Sequence, residues 1–263
     1  MIDIHAHVLP HVDDGPQSWR ESLSMLQRGA EDGIRGVVCT SHILDRLDSQ
    51  VETGLIEKFK ELRKRVAKAP FKISLWLGSE IYCGTNLTPK SRIATLNNNG
   101  RYILIELPLN EIPKEAENIF FQLTLDGKIP ILAHPERNSL ILQRPKIVFE
   151  LVHRGILIQM NAGSLTGLFG KRVKQIAFEM MDHQLVHFVA SDCHDERNRP
   201  LKLSGAYKLV CKQWGNETAD RLFKNNPYKA VIGEEIVPPL PLPIEKTGMK
   251  KLRRSLFKIF NSR

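Results

Sequence analysis

The sequence lacks the features typical of disulfide-rich, zinc-finger and membrane-spanning proteins. Its four cysteines are widely spaced and include no C-x-x-C pair, so neither a disulfide framework nor a zinc finger is expected. No apolar run approaches the roughly 18 residues that a membrane-spanning helix needs. The first residues include an acid, Asp3, and lack the basic stretch of a signal peptide, which predicts a cytoplasmic protein with reduced thiols.

The composition is that of an ordinary folded protein, but the charge is unevenly distributed. The 263 residues are 42% hydrophobic and 25% charged, which excludes disordered and collagen-like chains. The net charge is +9, yet residues 244–263 alone carry seven Lys or Arg and one Glu. The rest of the chain is therefore almost balanced, and a nucleic-acid partner is not expected.

Seven short apolar runs alternate with stretches of helical spacing or composition. The expected strands are residues 2–5, 36–40, 73–77, 102–107, 129–133, 156–160 and 187–191. The expected helices are residues 18–33, 51–68, 88–97, 113–125, 145–154, 171–183 and 200–214. This alternation predicts a parallel α/β fold. Seven or eight units suit a barrel with its site at the C-terminal ends of the strands, and an open doubly wound sheet is the competing architecture.

The C-terminal end differs in composition from the body. Residues 237–244 contain four prolines and are expected to form an extended, semi-rigid linker. In the basic tail, residues 245–263, a helix over 248–260 would place its apolar side chains on one face. Three interpretations stay open: a helix packed on the body, an amphipathic helix on an anionic membrane or acidic partner, or a frayed, disordered end.

Polar residues follow almost every expected strand. Nine of them carry imidazole or carboxylate groups: His5, His7, Asp14, His42, Glu80, Glu106, His134, Asp192 and His194. Each alone has an ordinary explanation, but five of the nine histidines occur at these positions. If the strands are parallel, all nine groups meet at one rim, where they would repel or remain unpaired without cations. The pattern predicts a site for two or three Zn, Mn or Fe ions.

The motifs that carry these residues resemble a known superfamily. They are His5-Ala-His7, Leu9-Pro-His-Val-Asp-Asp-Gly-Pro16, His42, Gly78-Ser-Glu80, Glu106, His134-Pro-Glu-Arg137 and Ser191-Asp-Cys-His194 with Arg199-Pro200. Together they resemble the polymerase and histidinol phosphatase (PHP) superfamily. Within it, the chain is most similar to the bacterial manganese-dependent protein-tyrosine phosphatases of capsule and exopolysaccharide loci.

The resemblance implies a fold and a set of site residues. It implies a distorted seven-stranded α/β barrel of the PHP type over residues 1–236, followed by the linker and the tail. One metal would be held by His5, His7, Glu80 and Asp192, a second by Glu80, Glu106 and His134, and a third by Asp14, His42 and His194. Arg137 and Arg199 would bind phosphate. His11 stands where the family usually has glycine, and its role stays open.

The same resemblance implies a phosphatase mechanism. A metal-bridging hydroxide would attack the phosphorus atom of phosphotyrosine, with Mn²⁺ as the expected ion and Fe, Zn or Co as alternatives. The expected substrate is a membrane-bound bacterial tyrosine kinase of polysaccharide export, which would place the protein at the inner face of the membrane. The alternatives are another phosphoesterase acting on histidinol phosphate, a nucleotide or a nucleic-acid end, an amidohydrolase, and a non-enzymatic regulator of polysaccharide assembly.

One competing mechanism can be weighed from the sequence. Cys193 and Arg199 satisfy the C-x5-R spacing of cysteine-dependent tyrosine phosphatases. The five residues between them include two acids and no glycine, whereas a phosphate-binding loop needs free backbone N–H groups and positive potential. The sequence therefore favours Cys193 as a small buried residue without a catalytic role.

Overall fold

The computed structural model describes residues 1–84 and 91–244, together with the backbone of residues 86–87. Its strands are β1 (Ile2–Ala6), β2 (Gly36–Ile43), β3 (Arg46–Leu47), β4 (Ser74–Tyr82), β5 (Asn86–Leu87), β6 (Tyr102–Glu106), β7 (Ile129–Ala133), β8 (Leu157–Asn161) and β9 (Phe188–Ala190). Seven strands form one parallel sheet in the order β1-β2-β4-β6-β7-β8-β9, and β3 pairs with β5 separately. The seven predicted strands are thus confirmed, with small shifts of their ends.

Helices connect the strands and cover the outside of the sheet. They are α1 (Trp19–Glu31), α2 (Ser49–Val66), α3 (Ala116–Leu125), α4 (Ser139–Gln143), α5 (Lys146–His153), α6 (Ala162–Thr166), α7 (Lys171–Asp182), α8 (Ser204–Trp214), α9 (Asn216–Asp220) and α10 (Asn226–Ile232). The predicted start of α1 is confirmed, because the Ser18 hydroxyl accepts a hydrogen bond from Glu21 N at 3.2 Å. None of the helices in the described part of the chain has the length and apolar character of a membrane span.

The helix predicted over residues 88–97 is wrong in its described part. Residues 91–95 form turns, and only a 3₁₀ turn, Leu96–Asn98, follows. Asn97 and Asn98 adopt left-handed backbone conformations with φ of 53° and 55°. The Asn99 side chain accepts hydrogen bonds from two following backbone N–H groups, those of Arg101 and Tyr102. The side chain of Asn99 thus satisfies the backbone that follows the predicted helix, and local bonds of this kind compete with helix formation.

Hydrogen bonds between the two end strands decide between a barrel and an open sheet. The backbone after β9 pairs with β1: Asp192 N donates to His5 O at 2.9 Å, and His7 N donates to Cys193 O at 2.9 Å. The seven-stranded sheet therefore curls into a nearly closed barrel, as expected. This closure brings residues from the two ends of the domain, near positions 5 and 192, to the same rim.

Two apolar clusters hold the barrel together. The inner cluster takes buried side chains from the barrel strands, including Ile4, Val38, Leu104, Ile131 and Phe188. The outer cluster joins the sheet to the helices. Because successive strand residues point to opposite faces, the strands supply both clusters with alternate side chains, except in β1, where a shift of register places Ile4 and Ala6 in different clusters. Both faces of the sheet are thus buried, which explains why the strands read as continuous apolar runs.

The proline-rich segment, residues 237–244, contains no helix or strand but is fixed to the body at its end. Leu242 N donates to His183 O at 2.9 Å, just beyond the last residue of α7. Ile244 packs against the outer cluster. The basic tail predicted over residues 245–263 lies outside the described residues.

A buried histidine at the N-terminal end of β9 is held in its neutral form. His187 is 1% exposed, and its Nδ1 accepts a hydrogen bond from Ile158 N at 2.9 Å. Burial, assisted by the nearby charge of Arg221, lowers the pKa of His187 to about 3. The unfolded chain therefore binds a proton at this residue at a pH where the folded chain does not.

We expect acidification to destabilise the protein through His187. Because its folded pKa lies below the unfolded value, this residue's contribution to stability is present above about pH 6.5 and is lost as the pH falls towards 3. Between pH 7.5 and 5.0 the loss should be about 2 kcal/mol. His187→Asn keeps an acceptor for Ile158 N but does not titrate. Its free energy of unfolding, measured in urea, should therefore fall between pH 7.5 and 5.0 by about 2 kcal/mol less than that of the wild type.

The control is His153→Asn, which removes an exposed histidine from the last turn of α5 and should leave the wild-type pH dependence unchanged. Equal pH dependence in the wild type and in His187→Asn would show that His187 is not the titrating group.

Candidate metal centre

All nine predicted ligands lie at the C-terminal ends of the barrel strands or in the loops that follow them. The structure brings eight of them into three groups, in each of which one nitrogen or oxygen atom per residue lies within 4.8 Å of the others. The groups are His5, His7, Glu80 and Asp192; His7, Asp14, His42 and His194; and His42, Glu80 and Glu106. The ninth residue, His134, contacts the carboxylates of Glu80 and Glu106 at 3.1 and 3.6 Å.

Glu80 occupies the middle of the site. Its side chain is completely buried at the end of β4. The Oε2 atom lies 3.1 Å from Nε2 of both His5 and His7, and 3.0 Å from Nδ1 of His42. The Oε1 atom lies 3.1 Å from Nε2 of His134. The two oxygens of one carboxylate therefore face different imidazoles, which is the arrangement that a bridging ligand requires.

The group of His7, Asp14, His42 and His194 lies closer to solvent. Asp14 Oδ1 lies 3.0 Å from His194 Nε2 and 3.6 Å from His42 Nε2. The Asp14 side chain is 64% exposed, whereas His194 is buried. His42 thus faces Asp14 with one ring nitrogen and Glu80 with the other. The structure places it between two groups, while the resemblance assigned it to the third metal alone.

Several buried polar atoms at the site lack a hydrogen-bonding partner. They are Glu80 Oε2, Asp192 Oδ1, His42 Nδ1 and His194 Nε2. All four have ion-pair neighbours at 3.0–3.6 Å but no hydrogen-bond geometry. Buried polar atoms are rarely left unsatisfied, so these positions require an additional partner.

Their spacing fits divalent cations. Two imidazole nitrogens, His5 Nε2 and His7 Nε2, approach each other to 3.2 Å. Metal bonds of about 2.1 Å separate neighbouring ligand atoms by about 3.0 Å in an octahedron and about 3.4 Å in a tetrahedron. The distances of 3.0–3.6 Å between most facing ligand atoms lie close to this range. A set of imidazoles and carboxylates without thiolate suits Zn, Mn or Fe.

An outer layer of polar side chains orients the ligands. Asp13 Oδ2 accepts from His7 Nδ1 at 2.9 Å, and Gln159 Oε1 accepts from His5 Nδ1 at 2.8 Å. Each bond leaves the Nε2 atom of the imidazole directed into the site. Asn161 Nδ2 donates to Asp192 Oδ2 at 2.7 Å, and Asn161 Oδ1 accepts from Gln159 Nε2 at 2.9 Å. The orienting role of these residues was not predicted from the sequence, although Gln159 and Asn161 are two polar positions, two residues apart, on an otherwise apolar strand.

The two predicted phosphate-binding arginines converge on one carboxylate oxygen. Arg137 Nη1 and Arg199 Nη2 lie 3.1 and 2.6 Å from Asp192 Oδ2. Both side chains are partly exposed, at 19% and 25%. The Arg137 guanidinium also lies over the ring of Phe169, with 4.4 Å to the ring centre. Arg197, the neighbouring candidate, forms no ion pair with any described residue, so Arg199 is the one that reaches the site.

The charges at the site are strongly coupled. Burial opposes the ionisation of Glu80, but the surrounding imidazoles outweigh it and hold the pKa of this carboxyl well below its usual range. Burial, together with the charge of Glu80, raises the pKa of Glu106. Burial also disfavours a charged His7, yet its bonds to Asp13 and Glu80 raise its pKa to about 10. Without metal ions, protons on the imidazoles balance the negative charge of the carboxylates. A metal ion has to displace these protons when it binds.

Two further residues can be placed. Cys193 is completely buried, and burial raises the pKa of its thiol well above the usual value, which disfavours a thiolate nucleophile. His11 has a φ of 55°, in the left-handed region that glycine adopts without strain, and it belongs to none of the three ligand groups. This backbone conformation explains why the related motif carries glycine at that position.

Comparisons with known proteins identify the family of the chain. Residues 1–232 match the family model for capsular polysaccharide synthesis, CpsB/CapC. The chain is 35% identical to tyrosine-protein phosphatase YwqE from Bacillus subtilis, over 86% of this chain and 89% of that protein. It is 32% identical to tyrosine-protein phosphatase CpsB from Streptococcus pneumoniae, over 90% of this chain and 100% of that protein.

A solved structure gives the same result for the fold. It comes from a crystallographic description of YwqE from Bacillus subtilis and CpsB from Streptococcus pneumoniae as unique metal-dependent tyrosine phosphatases. It superimposes with a TM-score of 0.84 at 32% identity, covering 94% of this chain and all of the other.

We expect Asp13→Asn to weaken metal binding without unfolding the protein. The Asp13 carboxylate accepts three bonds, from His7 Nδ1, His42 N and Gly15 N, and an amide can satisfy these only in part. Loss of such an orienting carboxylate lowers metal affinity about 10- to 100-fold. Titration of the metal-free protein with Mn²⁺ in a calorimeter would measure the change. Asp45→Asn, in an exposed loop, is the matched control, and equal affinities in the two variants would contradict the orienting role.

Proposed function

The chain belongs to the CpsB/CapC family of capsular polysaccharide synthesis and is a metal-dependent tyrosine-protein phosphatase, and we propose that phosphotyrosine is hydrolysed at the strand-end centre. The observation that carries this proposal is the convergence of two arginines on a rim whose buried carboxylate and imidazole atoms lack hydrogen-bonding partners. This rim combines sites for divalent cations with side chains suited to a phosphate dianion.

We propose two or three divalent ions, with Mn²⁺ as the expected species. His5, His7, Glu80 and Asp192 would hold the first ion, and Glu80 would be shared with a second held by Glu106 and His134. Asp14, His42 and His194 would hold the third. When bound, such ions lower the pKa of a coordinated water and neutralise negative charge on phosphoryl oxygens.

The protein's own residues bind and orient the phosphate. Arg137 and Arg199 present guanidinium groups that form paired, charge-assisted hydrogen bonds with phosphate oxygens. Asp192 Oδ2 holds both of them in place, and Phe169 supports the guanidinium of Arg137 from one side. Their partial exposure leaves donors free for a substrate that enters from solvent.

The leaving group fits a site without a dedicated acid. The phenol of tyrosine has a pKa of about 10, so its phenolate departs with less protonation than a serine alkoxide would need. The partly exposed position of Arg137, Arg199 and Asp14 agrees with a polypeptide substrate, whose side chain must reach the rim from outside.

The natural target we propose is a bacterial tyrosine kinase of polysaccharide export at the membrane. The link to capsular polysaccharide synthesis supports this choice of substrate. We further propose a division into a catalytic domain (residues 1–236), a linker (237–244) and a basic tail (245–263) that contacts the anionic inner face of the membrane. Unchanged binding to phosphatidylserine vesicles after charge reversal at Lys250, Lys251, Arg253 and Arg254 would contradict the membrane contact.

The proposed activity is tested by hydrolysis of a phosphotyrosine peptide beside a phosphoserine peptide and histidinol phosphate. Each would be measured with the protein as purified, after chelation and after addition of Mn²⁺. We expect activity biased to phosphotyrosine that chelation removes and Mn²⁺ restores. Activity that survives thorough chelation would contradict the metal mechanism, and restored activity confined to histidinol phosphate would contradict the substrate.

Arginine variants in the same assay separate phosphate binding from general effects of charge. Arg199→Ala should lower kcat/KM about 100-fold or more, as is typical when a charged donor to the transition state is lost. Arg197→Ala, two residues away, should retain the wild-type value because its side chain makes no contact with Asp192 among the described residues. Equal losses in the two variants would argue against the assigned role of Arg199.

A further inference from the structure

A groove of about 1120 Å³ lies between α5 and α7, outside the metal centre. Five cationic side chains line it: Arg144, Lys146, Lys171, Arg172 and Lys174. Three acidic side chains, Glu150, Glu179 and Asp182, also line it. None of these residues takes part in the proposed chemistry, so the groove requires a separate explanation.

Most of the positive charges lie at one end of the groove, two of the acids, Glu179 and Asp182, lie at the other, and Glu150 pairs with Lys146. In a parallel barrel each helix begins at the rim where the strands end, which is the rim of the metal centre. Lys171, Arg172 and Lys174 are in the first turn of α7, and Lys146 begins α5. Glu179 and Asp182 are in the last turn of α7. The cationic half of the groove therefore faces the metal centre.

Three of the cations are available for a ligand. Lys146 pairs with Glu150 at 3.1 Å, and Arg172 donates to Leu142 O at 2.7 Å. Within residues 1–84 and 91–244, Arg144, Lys171 and Lys174 have no carboxylate partner within 4.0 Å. Cations that line one groove repel each other unless a negatively charged partner is near, which favours an acidic ligand.

The cationic half is continuous with the phosphate-binding residues. The turn Pro135–Arg137 contacts α7, and Arg137 lies over Phe169, two residues before the first residue of that helix. The 12 residues of α7 span about 17 Å. Roughly five residues of extended polypeptide cover the same distance. A polypeptide with its phosphotyrosine at the rim can thus continue into the groove.

We propose that the cationic half of this groove binds acidic residues of the substrate polypeptide beside its phosphotyrosine. The inference rests on the proposed function, since it assigns the surface to the same substrate. Charge complementarity with Arg144, Lys171 and Lys174 supplies the preference, and partly exposed pairs of this kind act mainly on substrate affinity and association. The groove therefore governs KM, while the metal centre governs kcat.

The test is the double charge reversal R144E/K171E in the full chain. Three substrates are compared: a phosphotyrosine peptide with Asp and Glu beside the phosphotyrosine, the same peptide with Asn and Gln there, and p-nitrophenyl phosphate. We expect KM for the acidic peptide to rise about tenfold with kcat unchanged, and the other two substrates to change by less than about twofold. The wild-type preference for the acidic peptide should weaken in high salt.

The matched control is K208E/K212E, which makes the same change of charge on exposed residues of α8 outside the groove and should behave like the wild type. An unchanged preference for the acidic peptide in R144E/K171E, or an equal loss on all three substrates, would overturn the inference. Loss of phosphatidylserine vesicle binding with unchanged peptide kinetics would identify a lipid contact instead. Failure of the wild type on both phosphopeptides, with p-nitrophenyl phosphate still hydrolysed, would refute the proposed function itself.

Discussion

The main physical constraint on the structure is the cost of gathering charged groups, which repel one another, at one rim of a barrel. Glu80, Glu106 and Asp192 lie with five imidazoles in a largely buried space, where isolated charges are costly. Burial disfavours a charged imidazole here, but the neighbouring carboxylates outweigh it and raise the pKa values of His5 and His7. The resulting imidazolium groups compensate part of the negative charge of the carboxylates. Divalent cations are a better solution, because one ion satisfies several carboxylate and imidazole atoms at once. The rigid barrel therefore holds the carboxylates and imidazoles in an arrangement that is unfavourable by itself.

That rigidity comes from the closed sheet and from the polar layer behind the ligands. Asp13 and Gln159 fix the rings of His7 and His5, while Asn161 and the two arginines hold Asp192. One oxygen of Asp192 thus faces an imidazole of the candidate metal centre, and the other faces the two arginines. In the proposed site, binding of cations and binding of phosphate would be coupled through this single carboxylate, and both would depend on the end of the last barrel strand.

Outside the rim, charge serves recognition. The cationic half of the groove between α5 and α7 starts beside Arg137 and Phe169, so a substrate held at the metal centre meets it directly. Interactions among exposed charges are weak individually and sensitive to salt. They are suited to selecting a polypeptide by the residues around its phosphotyrosine, whereas the buried centre is suited to the reaction that all such substrates share.

The sequence by itself determined the parallel α/β fold, because seven apolar runs buried on both faces leave a clear pattern. It also indicated the nine candidate ligands, since polar residues stand out where such runs end. It failed at residues 91–97, where the chain forms turns and enters the left-handed conformation at Asn97. The tertiary structure alone decided that β1 and β9 close the barrel, that Gln159 reaches His5 and that Arg199 rather than Arg197 reaches Asp192. The contact between Gln159 and His5 joins residues 154 positions apart in the chain, and local pattern carries no information about which distant side chains a closed sheet brings together.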